Sequence, residues 1–571
     1  MSTLRVGLAQ INPVLGDFPG NIQRIVDAVD RAAAAGAQLI ALPEMALSGY
    51  PIEDLATDPA FLRSAGAALD DLATSLATAG LDDRIVVVGY PAGPLPPASR
   101  PPAAPTAIAE NRAAVIQSGR VLGTYTKHHL PNYSVFDEFR NFIPGGDVCV
   151  VEIGDVRVGL AVCEDLWRED GPLDRLQGVD LALVINASPY ARGKLGQRLG
   201  LIAARARAVG APLAYVNLVG GQDDLVFDGA SVLVGADGRL LASAPSFADE
   251  VLIADVEGGH GSPVPGARAI AAAVPRPGTS LPPASGISPD RPELAVVWDA
   301  LVVGLRDYVA KNGFPGVVLG LSGGIDSSLV AALAVDALGP ERVLGVLMPS
   351  RYSTEHSLGD ADDLVARLGI RSRVEPITDL VPPFERQLQL EGIAAENLQA
   401  RIRGIILMAV SNAEGPLVLT TGNKSELAVG YSTIYGDAVG GFNPIKDVLK
   451  TVVWDLSRWR NAEAERRGQT PPIPEHVIVK PPSAELRPDQ TDQDSLPPYP
   501  ELDDIIHRYV ELRQDPRQIE AAGHAAETVA RIIALIDHAE WKRRQAAPGT
   551  RITELAFGRD RRIPITNRRA R

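Results

Sequence analysis

The sequence predicts an α/β protein of two domains, the second built on a doubly wound, Rossmann-like parallel sheet. Three observations carry this expectation. Short apolar runs alternate with helically spaced apolar residues through both halves of the chain. Residues 258–292 are rich in Gly, Pro and Ser and show no sustained period, which is linker composition. Residues 317–333 read as an apolar strand, a glycine-rich turn and the start of a helix. The predicted division is therefore a first domain at 1–260, a linker at 261–292 and a second domain at 293–571.

Size and composition agree with two soluble domains. A chain of 571 residues is too long for one core, and 46% hydrophobic with 22% charged residues is ordinary globular composition. No signal peptide is predicted, because residues 4–11 are strand-like and no small-residue cleavage site follows. No apolar run reaches the roughly 18 residues of a membrane span. The expectation is a cytoplasmic protein that does not bind membranes. A net charge of −15 makes nucleic acid a poor partner, since binding it needs a basic footprint. One basic cluster (Arg559, Arg561, Arg562, Arg568, Arg569 and Arg571) reads as a solvated tail or a subunit contact.

In the first half, residues 4–11 form a strand, followed by a helix carrying Ile22, Ile25, Val26 and Val29. Residues 38–42 form a second strand that ends at Pro43 and Glu44, and 85–89 a third. A hairpin turning at Ser118 and Gly119 leads to Lys127. A second hairpin turns at Gly154 and Asp155 and ends at Cys163. In that register Cys149 lies across from Leu160. Three residues of stagger, about 10 Å, separate it from Cys163. A disulfide tolerates only about 7 Å between Cα atoms, so Cys163 is left as a free thiol. Strands at 181–185 and 213–218 flank a helix at 195–209.

Glu44, Lys127 and Cys163 thus fall at strand ends. A thiol needs a base or a neighbouring cation to become a good nucleophile. Glu44 could take its proton, and Lys127 could stabilise the thiolate and then an oxyanion. Taken singly, each has an ordinary reading as a buried small hydrophobe or a solvated charge. Spacing alone does not bring them together.

In the second half, strands are predicted at 317–321, 343–348 and 417–421, with helices from about 326, 354 and 397. Ligands of such sheets sit at the carboxyl ends of the strands. The turn Ser322-Gly323-Gly324-Ile325-Asp326-Ser327 has the build of a phosphate cradle, with open N–H groups at a helix start and glycines that let an anion approach. It lacks the Gly-Lys-Ser/Thr ending of a Walker A loop. Thr420 to Glu426 follows another strand and offers a hydroxyl for a nucleotide, a lysine for phosphate and a carboxylate. Asp326 and Glu426 are the candidate ligands for Mg²⁺, which takes one or two carboxylates plus phosphate oxygens. Read alone, Asp326 is equally a helix-capping aspartate.

The flanking strings add a resemblance. Residues 322–327 resemble the loop of the N-type ATP pyrophosphatases. Leu42-Pro43-Glu44, the run from Lys127 to Tyr133 and Cys163-Glu164-Asp165-Leu166-Trp167 resemble the glutamine-amidase branch of the nitrilase superfamily, in the same order. The strings at 396–403, 420–431, 435–437, 441–447, 480–490 and 542–550 are similar to those of the NAD synthetases. The whole chain resembles the bacterial glutamine-dependent NAD synthetases.

For the first domain this resemblance implies a nitrilase-like α-β-β-α sandwich. Its catalytic residues would be Glu44 as base, Lys127 as oxyanion stabiliser, Cys163 as nucleophile and Glu138 as the additional glutamate. Tyr133, Ser188 and Lys194 would hold glutamine. For the second domain it implies ATP on Gly320, Leu321, Ser322, Gly323, Gly324, Ile325, Asp326, Ser327 and Thr421. Nicotinic acid adenine dinucleotide would lie on Asn397, Glu426 and Lys542. ATP would be the co-substrate and Mg²⁺ the metal, on Asp326 and Glu426. A homo-oligomer built on synthetase-domain dimers is also implied. Asp489 and Gln490 lie in a Pro- and Asp-rich segment that reads as a lid.

Other readings fit less well. GMP and asparagine synthetases pair a pyrophosphatase loop with a Cys/His triad or an N-terminal cysteine, but residue 2 is Ser and no triad is visible. A nucleotide sensor or a simple hydrolase with a regulatory ATP domain would make no dinucleotide.

Overall fold

A computed structural model describes residues 3–96, 106–276, 283–483, 485–487 and 490–568. The chain divides into two compact units, one of residues 1–222 and 227–290, the other of residues 223–226 and 291–571.

The first unit is a four-layer α-β-β-α sandwich. One sheet has six strands in the order Glu250–Glu257, Thr3–Gln10, Leu39–Ala41, Ile85–Ala92, Glu110–Gln117, Arg120–Thr126. The other has seven, in the order Leu240–Ser243, Val232–Val234, Leu213–Asn217, Leu181–Asn186, Val156–Val162, Cys149–Ile153, Arg268–Ala272. Strand residues alternate between two apolar clusters, as a period of two requires. Leu8, Val87, Val158, Leu183 and Val216 fill the space between the sheets. Ile40, Val86 and Val88 face outward onto Ile25, Val29, Leu69 and Leu72 of the helices Phe18–Ala34 and Pro59–Thr78. Val184 and Tyr215 pack on Ile202 and Ala206 of the helix Lys194–Val209 on the opposite side.

The hairpin at Gly154 has the predicted register, with Ile153 opposite Val156 and Val150 opposite Gly159. Both cysteines are buried and unpaired. The segment 261–292 departs from its reading as linker. Arg268–Ala272 forms a parallel edge strand on Cys149–Ile153, and the Ser285 and Ser288 amides bond to Ile253 O and Ser243 Oγ. Its Pro and Gly content masked a strand of five residues whose single deeply buried side chain is Ile270.

The second unit contains a four-stranded, wholly parallel sheet in the order Arg371–Val374, Val343–Leu347, Val317–Gly320, Leu417–Val418. Val318, Val346 and Val418 pack against Ile402, Leu407 and Val410 of the helix Ile393–Glu414. Their strand neighbours Val317, Leu319 and Val343 are buried too, so the sheet is covered on both faces. A second apolar cluster joins Ala428 and Val429 to the helices Tyr499–Ile506 and Ala526–His538. Part of the C-terminal basic cluster belongs to this lobe rather than to a solvated tail. Arg561 is buried, ion-paired to Asp537 at 3.3 Å and Glu540 at 3.6 Å.

Candidate active sites

In the first unit, the strand ends bring three charged side chains into one buried cluster. Glu44 follows the strand Leu39–Ala41, Lys127 follows Arg120–Thr126, and Glu138 opens the helical turn Glu138–Asn141. Lys127 Nζ donates to Glu44 Oε1 at 2.7 Å and to Glu138 Oε2 at 2.6 Å, and none of the three is exposed. Asn111 Nδ2 donates to Glu44 Oε1 at 2.6 Å and the Ala187 amide to Oε2 at 2.8 Å, which fixes the plane of the carboxylate. Tyr50 Oη donates to Glu138 Oε1 at 2.8 Å.

Cys163 ends the strand Val156–Val162 and starts the tight turn Cys163–Leu166, with φ of +47°. A non-glycine residue in that left-handed region is held there by its surroundings. Burial pushes the thiol well above its ordinary pKa, the charge of Glu44 adds to this and Lys127 opposes it. The resting group is thus a thiol that needs a base. Burial pushes the Lys127 ammonium down, but Glu138 and Glu44 reverse this and hold it charged. Burial also pushes Glu138 up to about 7, against the pull of Lys127.

Ser188 follows the strand Leu181–Asn186, one residue past the amide that holds Glu44, and its own amide donates to Asn217 Oδ1 at 2.8 Å. Lys194 Nζ donates to Pro189 O at 2.9 Å. Tyr133 is 54% exposed, and its Oη donates to Glu164 Oε2 at 2.9 Å. Asn111 and Glu164 were missed in the sequence. Glu164 stood beside the cysteine but carried no separate signal, and Asn111 sits inside a strand.

In the second unit, a cavity of 320 Å³ opens at the carboxyl end of Val317–Gly320. Of the predicted ATP residues, Gly320, Leu321, Ser322, Gly324, Ile325, Asp326, Ser327 and Thr421 line it, and so does Glu426. Gly323 is the exception. Its φ is +71°, and a Cβ there would stand 2.2 Å from the Ser357 carbonyl oxygen, so this glycine admits a neighbouring turn. Gly324 caps the helix Ile325–Leu338 without any side-chain bond, so Asp326 is not its cap. Asp326 Oδ1 instead accepts from Asn423 Nδ2 at 2.9 Å. Asn423 and Glu426 form a reciprocal capping box that orients Glu426.

Between Asp326 and Glu426 stands Lys450, the first residue of the helix Lys450–Arg466. Its Nζ pairs with Asp326 Oδ2 and lies 3.4 Å from Glu426 Oε1. Burial and the charge of Asp326 push Glu426 up to about 8, and Lys450 opposes this. Lys450 went unnoticed because nothing around it in sequence marks a ligand position. Lys424, read as a phosphate lysine, is fully buried elsewhere. It pairs with Asp447 at 2.8 Å and Glu511 at 2.7 Å, and donates to Thr553 Oγ1 at 2.8 Å.

Asn397 and Lys542 do not line the cavity but hold a segment that does. Asn397 Oδ1 accepts from Thr433 Oγ1 at 2.7 Å, and Lys542 Nζ donates to Gly430 O at 2.8 Å and Ser432 O at 2.9 Å. Burial pushes Asp437, on the cavity wall, up to about 6 and lowers Arg403 to about 10. Asp489 lies outside the described residues.

Comparison with known proteins agrees with this division. Residues 5–260 match the carbon–nitrogen hydrolase family and residues 297–546 the NAD synthase family. A glutamine-dependent NAD(+) synthetase of Xanthomonas campestris is 47% identical over 99% of this chain and 98% of its own. One from Thermotoga maritima is 44% identical over 100% and 99%. The solved structure of glutamine-dependent NAD+ synthetase from Acinetobacter baumannii, in complex with ADP, superposes with a TM-score of 0.73. It is 38% identical over 99% of each chain.

Fold and sites therefore define a ligase that joins a nitrilase-type amidase unit to a nucleotide-binding synthetase unit. The chain belongs to the glutamine-dependent NAD(+) synthetases.

Proposed function

We propose that the chain makes NAD⁺ from nicotinic acid adenine dinucleotide, with ATP as the activating co-substrate and glutamine as the nitrogen source. The observation that carries the glutaminase half is the buried Glu44–Lys127–Glu138 cluster beside a thiol held in a strained turn. Glu44 takes the thiol proton as Sγ attacks the side-chain amide carbon of glutamine. Lys127, charged and desolvated, stabilises the oxyanion. The C–N bond breaks, Glu44 returns the proton to the leaving nitrogen, and ammonia departs. Water, activated by Glu44, then cleaves the γ-glutamyl thioester and frees glutamate. Tyr133, Ser188 and Lys194 are proposed to hold the glutamine, Tyr133 through the patch it shares with Glu164.

In the second unit the carboxylate of the dinucleotide attacks the α-phosphorus of ATP, and pyrophosphate leaves. Ammonia attacks the acyl-adenylate, forming the amide and releasing AMP. The loop Gly320–Ser327 and Thr421 are proposed to hold ATP, with the start of the helix Ile325–Leu338 toward the phosphates. Asn397, Glu426 and Lys542 are proposed to serve the dinucleotide, Asn397 and Lys542 by fixing the segment from Gly430 to Thr433. Lys450 is placed to neutralise phosphate charge.

Mg²⁺ fits Asp326 and Glu426, because both carboxylates already converge on one cation, Lys450 Nζ. Among the described residues no group of three or more His, Cys, Asp or Glu could hold a metal by itself, so phosphate oxygens would complete the shell. When bound, Mg²⁺ would neutralise the pyrophosphate that leaves.

We also propose a homo-oligomer built on synthetase-domain dimers, residing in the cytoplasm. Phe384, Leu388, Ile393, Ile405 and Met408 leave apolar surface on the helices Val381–Leu388 and Ile393–Glu414, which supports a subunit contact. Among the described residues no helix is long and apolar enough to cross a membrane.

The test supplies ATP, Mg²⁺ and the dinucleotide, with glutamine or ammonium as donor. Wild type makes NAD⁺ from both, and Cys163→Ala makes it from ammonium only. No NAD⁺ from either donor in wild type would refute the reading.

A further inference from the structure

Asp165 is a fully buried carboxylate, two residues past Cys163, with no cationic partner among the described residues. It accepts four hydrogen bonds. Oδ1 takes the amides of His128 at 3.1 Å and His129 at 2.9 Å. Oδ2 takes Tyr125 Oη at 2.7 Å and the Val162 amide at 3.0 Å. The donors come from two strands that are far apart in sequence. Tyr125, His128 and His129 bracket Lys127, and Val162 and Asp165 bracket Cys163.

A buried carboxylate is costly unless its lone pairs are filled, and here all four donors are spent on it. The same four bonds tie the segment that carries the ammonium to the strained turn that carries the thiol. We propose that Asp165 is the positioning residue of the amidase site: it sets the distance and angle between Cys163 Sγ and Lys127 Nζ. Its hydrogen bonds go to Tyr125 and three backbone amides, so it acts through the two segments that carry Cys163 and Lys127. The inference rests on Cys163 and Lys127 acting as nucleophile and oxyanion stabiliser.

The geometry says what Asn would do. Its single oxygen can serve either the two histidine amides or the Tyr125 and Val162 pair, and its NH₂ then faces the other set. If the NH₂ meets His128 and His129, both contacts are N–H against N–H. If it meets the second pair, Tyr125 can rotate to accept but the Val162 amide cannot. Either way one of the two bracketing segments is released. A displacement near 1 Å costs about 100-fold in rate.

The experiment uses the full-length enzyme. Asp165→Asn is expected to lower glutaminase kcat by about 100-fold, with KM for glutamine within about 3-fold of wild type. Tyr125→Phe, which deletes one donor and keeps the ring, is expected to lower kcat by about 10-fold and decides the matter should Asp165→Asn not fold. The second readout is alkylation of Cys163 by iodoacetamide across pH. A displaced ammonium shifts its rate profile to higher pH in both variants, which a loss of general stability would not do. Ammonium-driven NAD⁺ synthesis is expected to be unchanged. Variants with kcat within about 2-fold of wild type, or with lowered kcat but an unshifted alkylation profile, would overturn the proposal. Glutamine-driven synthesis surviving in Cys163→Ala would instead remove the catalytic reading beneath it.

Discussion

Replacing Lys127 by Met exposes the energetics of the amidase cluster. The side chain is fully buried and neutralises two buried carboxylates, at 2.7 and 2.6 Å. Met keeps most of the packed stem but leaves Glu44 and Glu138 facing each other with no counter-charge. Removing one partner of a buried ion pair costs about 3–5 kcal/mol, against a total stability of about 5–15 kcal/mol. That cost falls if Glu138 takes up a proton. Glu138 is raised to about 7 by burial even with Lys127 in place, and the ammonium is what pulls it down. Without it the folded-state pKa rises further, while the unfolded value stays near 4.5. A carboxyl whose folded pKa is raised binds more protons when folded. Its destabilisation is therefore absent below the unfolded pKa, grows as pH rises, and is complete above the folded pKa. The variant should lose about 3–5 kcal/mol near pH 8.5 and much less near pH 5. Urea unfolding followed by hydrogen exchange in the strands Arg120–Thr126 and Val156–Val162 reports this unit. Equal losses at both pH values would refute the reasoning. Glutamine-driven synthesis should fall by about 1,000-fold, and ammonium-driven synthesis should persist.

Gly323→Ala adds a Cβ 2.2 Å from the Ser357 carbonyl oxygen at a φ of +71°, so the loop must shift. Synthesis from both donors should fall by about 100-fold, with glutaminase activity unchanged, as read in separate assays. Lys450→Met should abolish most synthesis from either donor and also lower Tm, because it strands Asp326 and Glu426. Lys424→Met should lower Tm at least as much by stranding Asp447 and Glu511, with the smaller loss of synthesis at a temperature where the variant is folded. Parallel Tm and ammonium-driven rates check the pair.

Much of the architecture was legible because strand ends are local features. Apolar runs and Gly-Asp or Ser-Gly turns placed Glu44, Lys127 and Cys163 at the ends of strands, and the hairpin register of Cys149 followed from the turn alone. Their convergence was not legible from spacing. Glu44 and Lys127 are 83 residues apart and meet only through the sheet order. The flanking strings supplied that link by resemblance. Lys450 was invisible for the same reason: it reaches Asp326 across 124 residues. The strand in the linker escaped because Arg268–Ala272 buries one deep side chain on an edge, too little for a period to show.

Among the described residues three lysines sit buried between two carboxylates: Lys127, Lys424 and Lys450. The shared arrangement by itself says nothing about function, since such clusters also serve as structure. What separates them is the count of N–H donors. An ammonium has three. Lys424 spends all of them, on Glu511, Thr553 and the Leu555 carbonyl, with Asp447 ion-paired beside them at 2.8 Å, and its pairing is complete inside the core. Lys127 bonds to Glu44 and Glu138, and Lys450 to Asp326 and Glu426, so among the described residues each keeps a donor in hand. In both cases the spare donor belongs to a charge already desolvated beside the Cys163 thiol or on the wall of the cavity at the Gly320–Ser327 loop. A buried cation with unspent hydrogen-bonding capacity gains most when negative charge arrives. That makes Lys127 and Lys450 suited to an oxyanion and a phosphate, and it leaves Lys424 to hold the start of the helix Lys424–Val429, from which Glu426 projects.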